Sequence, residues 1–200
     1  MVPSPPEIRW IQCGIVAGLC ASVLYPTLLF APLPLAAITP AAAFLGPAIG
    51  IGSLGLRELI RVHGRSVAAT LGAVSNFVAG SLFTAMALVQ LAVRAQPDSA
   101  PQRQLVGVWL GLDVAWDVYI GLGTIFFAWS MFTHPRFRWP FATPGLVLGL
   151  LVLILNLHTF PRPSAEAGLV DIGPLVGLWY LAATVQAWHS IGWARERLEG

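Results

Sequence analysis

The 200-residue sequence predicts an all-α, polytopic transmembrane helix bundle of about six spans with both termini cytoplasmic. Three observations carry the prediction: 56% of the residues are hydrophobic, only 10% are charged, and the apolar residues gather in six runs of membrane-crossing length. A soluble domain carries about 25% charged residues, so a water-facing surface cannot be assembled from this set. Each crossing needs roughly 20 apolar residues and a short turn, and residues 1–200 are accordingly read as a single transmembrane helical domain.

The first run, 8–30, follows Glu7 and Arg9 and leads into a proline-punctuated stretch from Pro26 to Pro34. A secretory signal has a similar charged start and apolar core; this run is read as a retained span. The second, 36–59, is interrupted by Pro40 and Pro47 and loosened by Gly46, Gly50, Gly52 and Gly55. It ends in Arg57, Glu58, Arg61, His63 and Arg65, a cluster that stops insertion. It is the weakest of the six, leaving five spans as the alternative. Discontinuous transporter helices have such a pattern, but prolines in membrane helices are more often tolerated kinks.

Run three, 67–93, contains Asn76 and Gln90 and meets Arg94 and a polar loop over 96–104. Run four, 105–132, holds Asp113 and Asp117 and is closed by the segment from His134 to Pro140. Run five, 142–160, carries Asn156 and His158 near its end, and run six, 169–193, carries Asp171, Gln186 and His189 before a polar tail. Strands of a membrane barrel alternate in polarity over about ten residues. Unbroken apolar runs therefore point to helices, which satisfy their own backbone in lipid.

Arginine placement sets the orientation, because short cytoplasmic loops retain positive charge. With six spans, Arg9, Arg57, Arg61, Arg65, Arg136, Arg138, Arg195 and Arg197 fall on one side, and Arg94, Arg103 and Arg162 on the other. Trp10, Trp139 and Trp193 fall at the same ends as the larger group, as interfacial aromatics do. All eleven basic residues are Arg, and with the Ala, Gly, Pro and Leu bias this suggests a GC-rich bacterial genome. The expected location is the bacterial cytoplasmic (inner) membrane, crossed several times.

Several function classes are disfavoured. A net charge of +2, scattered along the chain, argues against nucleic-acid binding. Cys13 and Cys20 lie about 10 Å apart on a helix, too far for a disulfide, and read as packing residues. Metalloprotease, nucleophile-elbow and phosphate-loop motifs are missing from the sequence. No catalytic residue, metal site or cofactor is predicted, and an enzyme is the less favoured class. His158 and His189 sit near opposite ends of consecutive spans, about 20 Å apart in depth, so they cannot share a haem iron. His63, His134 and His189 gather on the cytoplasmic side, where interfacial histidines are usually hydrogen-bonded rather than ligating.

Asp113 and Asp117 are the residues that most need an explanation. An acid inside an apolar helix costs about 2.5–3.5 kcal/mol on insertion scales, and these two share one face at i, i+4. At 1.5 Å per residue Asp113 lies about 12 Å and Asp117 about 18 Å from the outer end of run four. Two carboxylates so close in apolar surroundings do not both ionise, and a retained proton is the requirement for proton coupling or cation binding. Asn76 falls near the depth of Asp117, and Asn156, His158 and Asp171 lie toward the outer surface. The expected ligand- or proton-binding set is Asp113, Asp117, Asn76, Asn156, His158 and Asp171, with Arg94, Arg103 or Arg162 at its mouth. The competing structural reading pairs the acids with Asn76, a Trp or Tyr donor, or Arg103.

Glycine pairs at helix-packing spacing, Gly14/Gly18, Gly46/Gly50, Gly107/Gly111, Gly145/Gly149 and Gly173/Gly177, let backbones approach closely in lipid. The expected partners are the lipid bilayer and, through such faces, other membrane subunits or a second copy. Two functions follow: a small transport or sensing protein with an acidic pocket opening outward, or a non-catalytic accessory or scaffold subunit.

Overall fold

The structure, a computed structural model, describes residues 6–94, 100–158 and 171–199, with backbone alone at 35 and 100–104. The described residues form seven helices and no strand: α1 (Pro6–Phe30), α2 (Leu35–Arg61), α3 (Val67–Arg94), α4 (Ala100–Met131), α5 (Arg138–Leu157), α6 (Gly173–His189) and α7 (Ile191–Glu199). The first five are long and apolar enough to cross a membrane. At 17 residues α6 rises about 26 Å, shorter than any of α1 to α5. The sixth apolar run is therefore two helices, separated at Ser190.

Pro40 and Pro47 lie inside α2, which nevertheless continues for 27 residues. Unwinding would leave backbone groups unpaired in apolar surroundings, so the helix accommodates the prolines instead of breaking at them.

Consecutive helices pack side by side from α1 to α5, and α6 closes the arrangement against both α1 and α5. Ile8, Ile11, Leu59, Phe127, Met131 and Phe137 form a tight apolar core at one end of this ring. Ala21, Ala42, Leu45, Phe83 and Met86 form a smaller one toward the other. These groupings join the start of α1 to the end of α2, and the end of α4 to the start of α5, as alternating up-and-down helices require. The first end carries Arg57, Arg61 and Arg136 and is called the basic end; the second, where α3 ends and α6 begins, is the acidic end.

Glycines let neighbouring helices approach within the ring. A Cβ on Gly52 would stand 2.8 Å from the Gly18 Cα, and Gly14 meets Gly55 in the same α1–α2 seam. Gly46 packs on Gly80 between α2 and α3, and a Cβ on Gly149 would stand 2.8 Å from the Gly121 carbonyl between α5 and α4. Gly173 and Gly177 face Tyr25 of α1, whereas among the described residues Gly107 and Gly111 have no such neighbour within 4 Å. Large apolar side chains, Phe30, Phe44, Val74 and Trp129 among them, point outward from the ring. Such a surface suits lipid as solvent and exceeds what a water-soluble monomer exposes.

Candidate functional site: an acidic cavity inside the helix ring

Asp113 and Asp117 stand one turn apart on α4 and line a cavity of about 310 Å³ at the acidic end. Tyr25 of α1, Phe83 of α3 and Trp116 of α4 build its aromatic wall. The Tyr25 and Phe83 rings meet edge-on with centroids 6.4 Å apart, and Phe83 meets Trp116 at 5.1 Å. Gln90 and Arg94 from the end of α3, Asn156 from α5 and Asp171 before α6 complete the polar lining. Asp171 is exposed, and its Oδ1 accepts the Gly173 N–H at 2.8 Å, which fixes the carboxylate at the start of α6.

A narrower cavity of about 80 Å³ lies deeper, and Tyr25, Trp116, Asp117 and Gly173 line both spaces. Its polar lining includes Ser53, Asn76, Tyr180 and Thr184. Asn76 is fully buried, and its amide nitrogen donates to Ser53 Oγ at 2.9 Å and to the Tyr180 hydroxyl at 2.8 Å. Thr124 donates to the Ile120 carbonyl at 2.7 Å, so in its 3.1 Å pair with Tyr180 the phenol is the donor. One tyrosine of α6 thereby ties α3 to α4 across the middle of the ring. Among the described residues the Asn76 carbonyl oxygen has no hydrogen-bond partner, and it lies against Gly123, where a Cβ would collide with it. Toward the basic end the interior is filled by Ile11, Ile15, Leu59, Phe127 and Met131, all but fully buried.

Asp113 and Asp117 make no hydrogen bond or ion pair among the described residues. Of the donors expected for them, Asn76 is engaged elsewhere: both its amide hydrogens serve Ser53 and Tyr180, whereas Tyr25 and Trp116 share the cavity lining with the acids. The side chain of Arg103 and all of Arg162 lie outside the described residues. Of the six residues singled out in the sequence, Asp113, Asp117, Asn156 and Asp171 line the larger cavity, and Asn76 lies one layer deeper. His158 lines neither cavity and is exposed where α5 ends. It follows Asn156 by two residues, a rotation of about 200° around a helix, so the two side chains point to opposite sides.

Tyr25, Trp116, Tyr180 and Ser53 were not singled out from the sequence. A tyrosine within an apolar run was the available signal, since a buried phenol needs a polar partner.

At the basic end His134 is 1% exposed, and its ring meets that of His63 with centroids 5.5 Å apart. Its Nδ1 accepts the Arg136 N–H at 3.2 Å. Burial pushes this imidazole down to about 4, and positive charge at His63 and Arg136 acts in the same direction against the Leu59 carbonyl. Arg136 donates from Nε to Ser190 Oγ at 3.3 Å, and its carbonyl accepts from the Gln186 amide at 2.6 Å. Among the described residues no group of three or more His, Cys, Asp or Glu side chains is placed to hold a metal ion.

Fold and surface together define a multi-pass helical membrane protein. Comparison with protein-family models, curated proteins and solved structures finds no match to the chain.

Proposed function

We propose that this chain is a small transport or sensing protein of the bacterial cytoplasmic membrane. It crosses six times, keeps both termini in the cytoplasm, and opens its acidic cavity to the outer side. Asp113 and Asp117 exchange a proton there or hold a cationic or polar ligand. One observation carries this reading: two carboxylates inside an apolar ring line a cavity and have no protein donor among the described residues. A half-buried carboxylate in an apolar ring without a protein partner is disfavoured as a bare charge, so a proton, water or ligand satisfies it. Asp171 and Arg94 at the acidic end then meet the ligand first, and the aromatic wall orients it against Asp117.

The test reconstitutes the parent and the Asp113→Asn/Asp117→Asn variant in liposomes containing a pH-sensitive dye, with an imposed membrane potential. Proton movement at least tenfold slower in the variant, with unchanged thermal stability, supports the proposal. Equal responses from two well-folded proteins sink it for protons, and equal binding of sodium and ethylammonium ions by calorimetry sinks it for cations.

The accessory-subunit reading keeps one supporting observation, the exposed Gly107/Gly111 face of α4 with open space before it. The other glycine pairs make contacts within the ring. A partner in that reading packs on α4 there.

A further inference from the structure

A separate cavity of about 280 Å³ opens at the basic end between the end of α2 and the start of α3, and three arginines line it, Arg57, Arg61 and Arg65. Glu58 is ion-paired to Arg57 and, through Oε2 at 2.9 Å, to Arg61 Nε. Three positive charges against one negative leave this corner at +2. Arg65 is exposed and unpaired among the described residues.

The arrangement is held in place. Arg57 Nε donates across to Thr70 Oγ1 at 3.1 Å, and Thr70 in turn donates to the Ser66 carbonyl at 3.2 Å. Ser66 also caps α3, its Oγ accepting the Ala69 N–H at 3.1 Å. The first N–H groups of a helix lack intrahelical acceptors and carry partial positive charge, so this 28-residue helix adds to the field of the arginines. Like charges gathered this closely repel, and an anion between them relieves the repulsion. Guanidinium forks match the oxygens of a phosphate group in pairs.

The apolar surroundings indicate where that phosphate comes from. Val67, Leu71 and Val74 are exposed at i, i+4 and i+7, a stripe that leads from the cavity along α3 toward the middle of the bundle. A hydrocarbon chain fits such a stripe, whereas free phosphate has no use for it. We propose that this cavity binds a phosphate oxyanion, presented as the headgroup of an anionic phospholipid whose acyl chain lies along α3. The site is distinct from the acidic cavity and does not depend on what that cavity carries.

The experiment uses the full chain purified in detergent, with three probes: dioleoylphosphatidylglycerol, dioleoylphosphatidylcholine and inorganic phosphate. Retained lipid is read by native mass spectrometry and protection by the shift in unfolding temperature. Arg61→Gln/Arg65→Gln is compared with Arg195→Gln/Arg197→Gln, which removes the same charge from the C-terminal helix. Phosphatidylglycerol retained at least tenfold more weakly by the cavity variant than by the parent or the control, with phosphatidylcholine unchanged, supports the proposal. Protection of the parent, and not of the cavity variant, by inorganic phosphate alone keeps the oxyanion site and moves its source to solution. Equal losses in both variants, or no loss in either, overturn it. Should the double variant be unstable, Arg65→Glu, at an exposed and unpaired side chain, carries the same comparison.

Discussion

Asn76 binds through its amide hydrogens and is confined by its carbonyl oxygen, and each half has a measurable consequence. Asn76→Leu removes the donor from the Ser53 hydroxyl and one of the two partners of Tyr180, and should cost about 1–3 kcal/mol, read as a lower unfolding temperature in detergent. Gly123→Ala should destabilise comparably by driving a methyl group into the Asn76 carbonyl. Because the two share one space, adding Gly123→Ala to Asn76→Ala should cost far less than Gly123→Ala alone. His134 gives a pH dependence at the basic end. Its imidazole is pushed from 6.5 to about 4, so the unfolded chain takes up the proton first as pH falls. Stability is full above about 6.5 and declines toward about 4, by on the order of 2–3 kcal/mol, and His134→Phe should flatten that slope in a pH series of thermal melts.

At the level of helices, the glycine pairs separate into two kinds that the sequence could not distinguish. Gly52→Leu places a side chain into the backbone of α1 and should prevent stable folding or cost more than about 3 kcal/mol. Gly111→Leu faces open space and should change stability by no more than about 0.5 kcal/mol. A change of oligomeric state on size-exclusion chromatography from Gly111→Leu alone would favour the accessory reading. The apolar runs were legible because a membrane-crossing helix is written in hydropathy alone. The break between α6 and α7 was not, because one of the groups that meet at Ser190 comes from far away in the chain. Ser190 donates to the Gln186 carbonyl at 2.7 Å and receives Arg136 from the segment before α5, and no local residue pattern marks that meeting. Pro40 and Pro47 misled in the other direction, since their cost to α2 is smaller than that of exposing its backbone to lipid.

Across the whole molecule, polar groups run from Asp171 past Asp113 and Asp117 to Asn76, and a solid apolar core closes the far end. The acids were visible in the sequence by their cost in lipid. Their convergence was not, because which face of each helix turns inward depends on the glycine seams and on Tyr180. A one-sided opening predicts one-sided chemistry: Asp113→Cys should react with a membrane-impermeant thiol reagent from outside intact cells, and Asn76→Cys at least tenfold more slowly. A green fluorescent protein fused after Gly200 should glow and an alkaline phosphatase fused there should be inactive, with the reverse for fusions inserted within residues 95–99. The ring has a further consequence, for the order of its assembly. Neighbours in sequence form every seam from α1 to α5, so these helices pair as the chain emerges, whereas α1 waits for α6. Until α6 arrives the acids face an open trough and Asn76 lacks its phenol. A ribosome stalled before Gly173 would therefore hold an open ring, and the arrival of α6 with Tyr180 is the step that closes it.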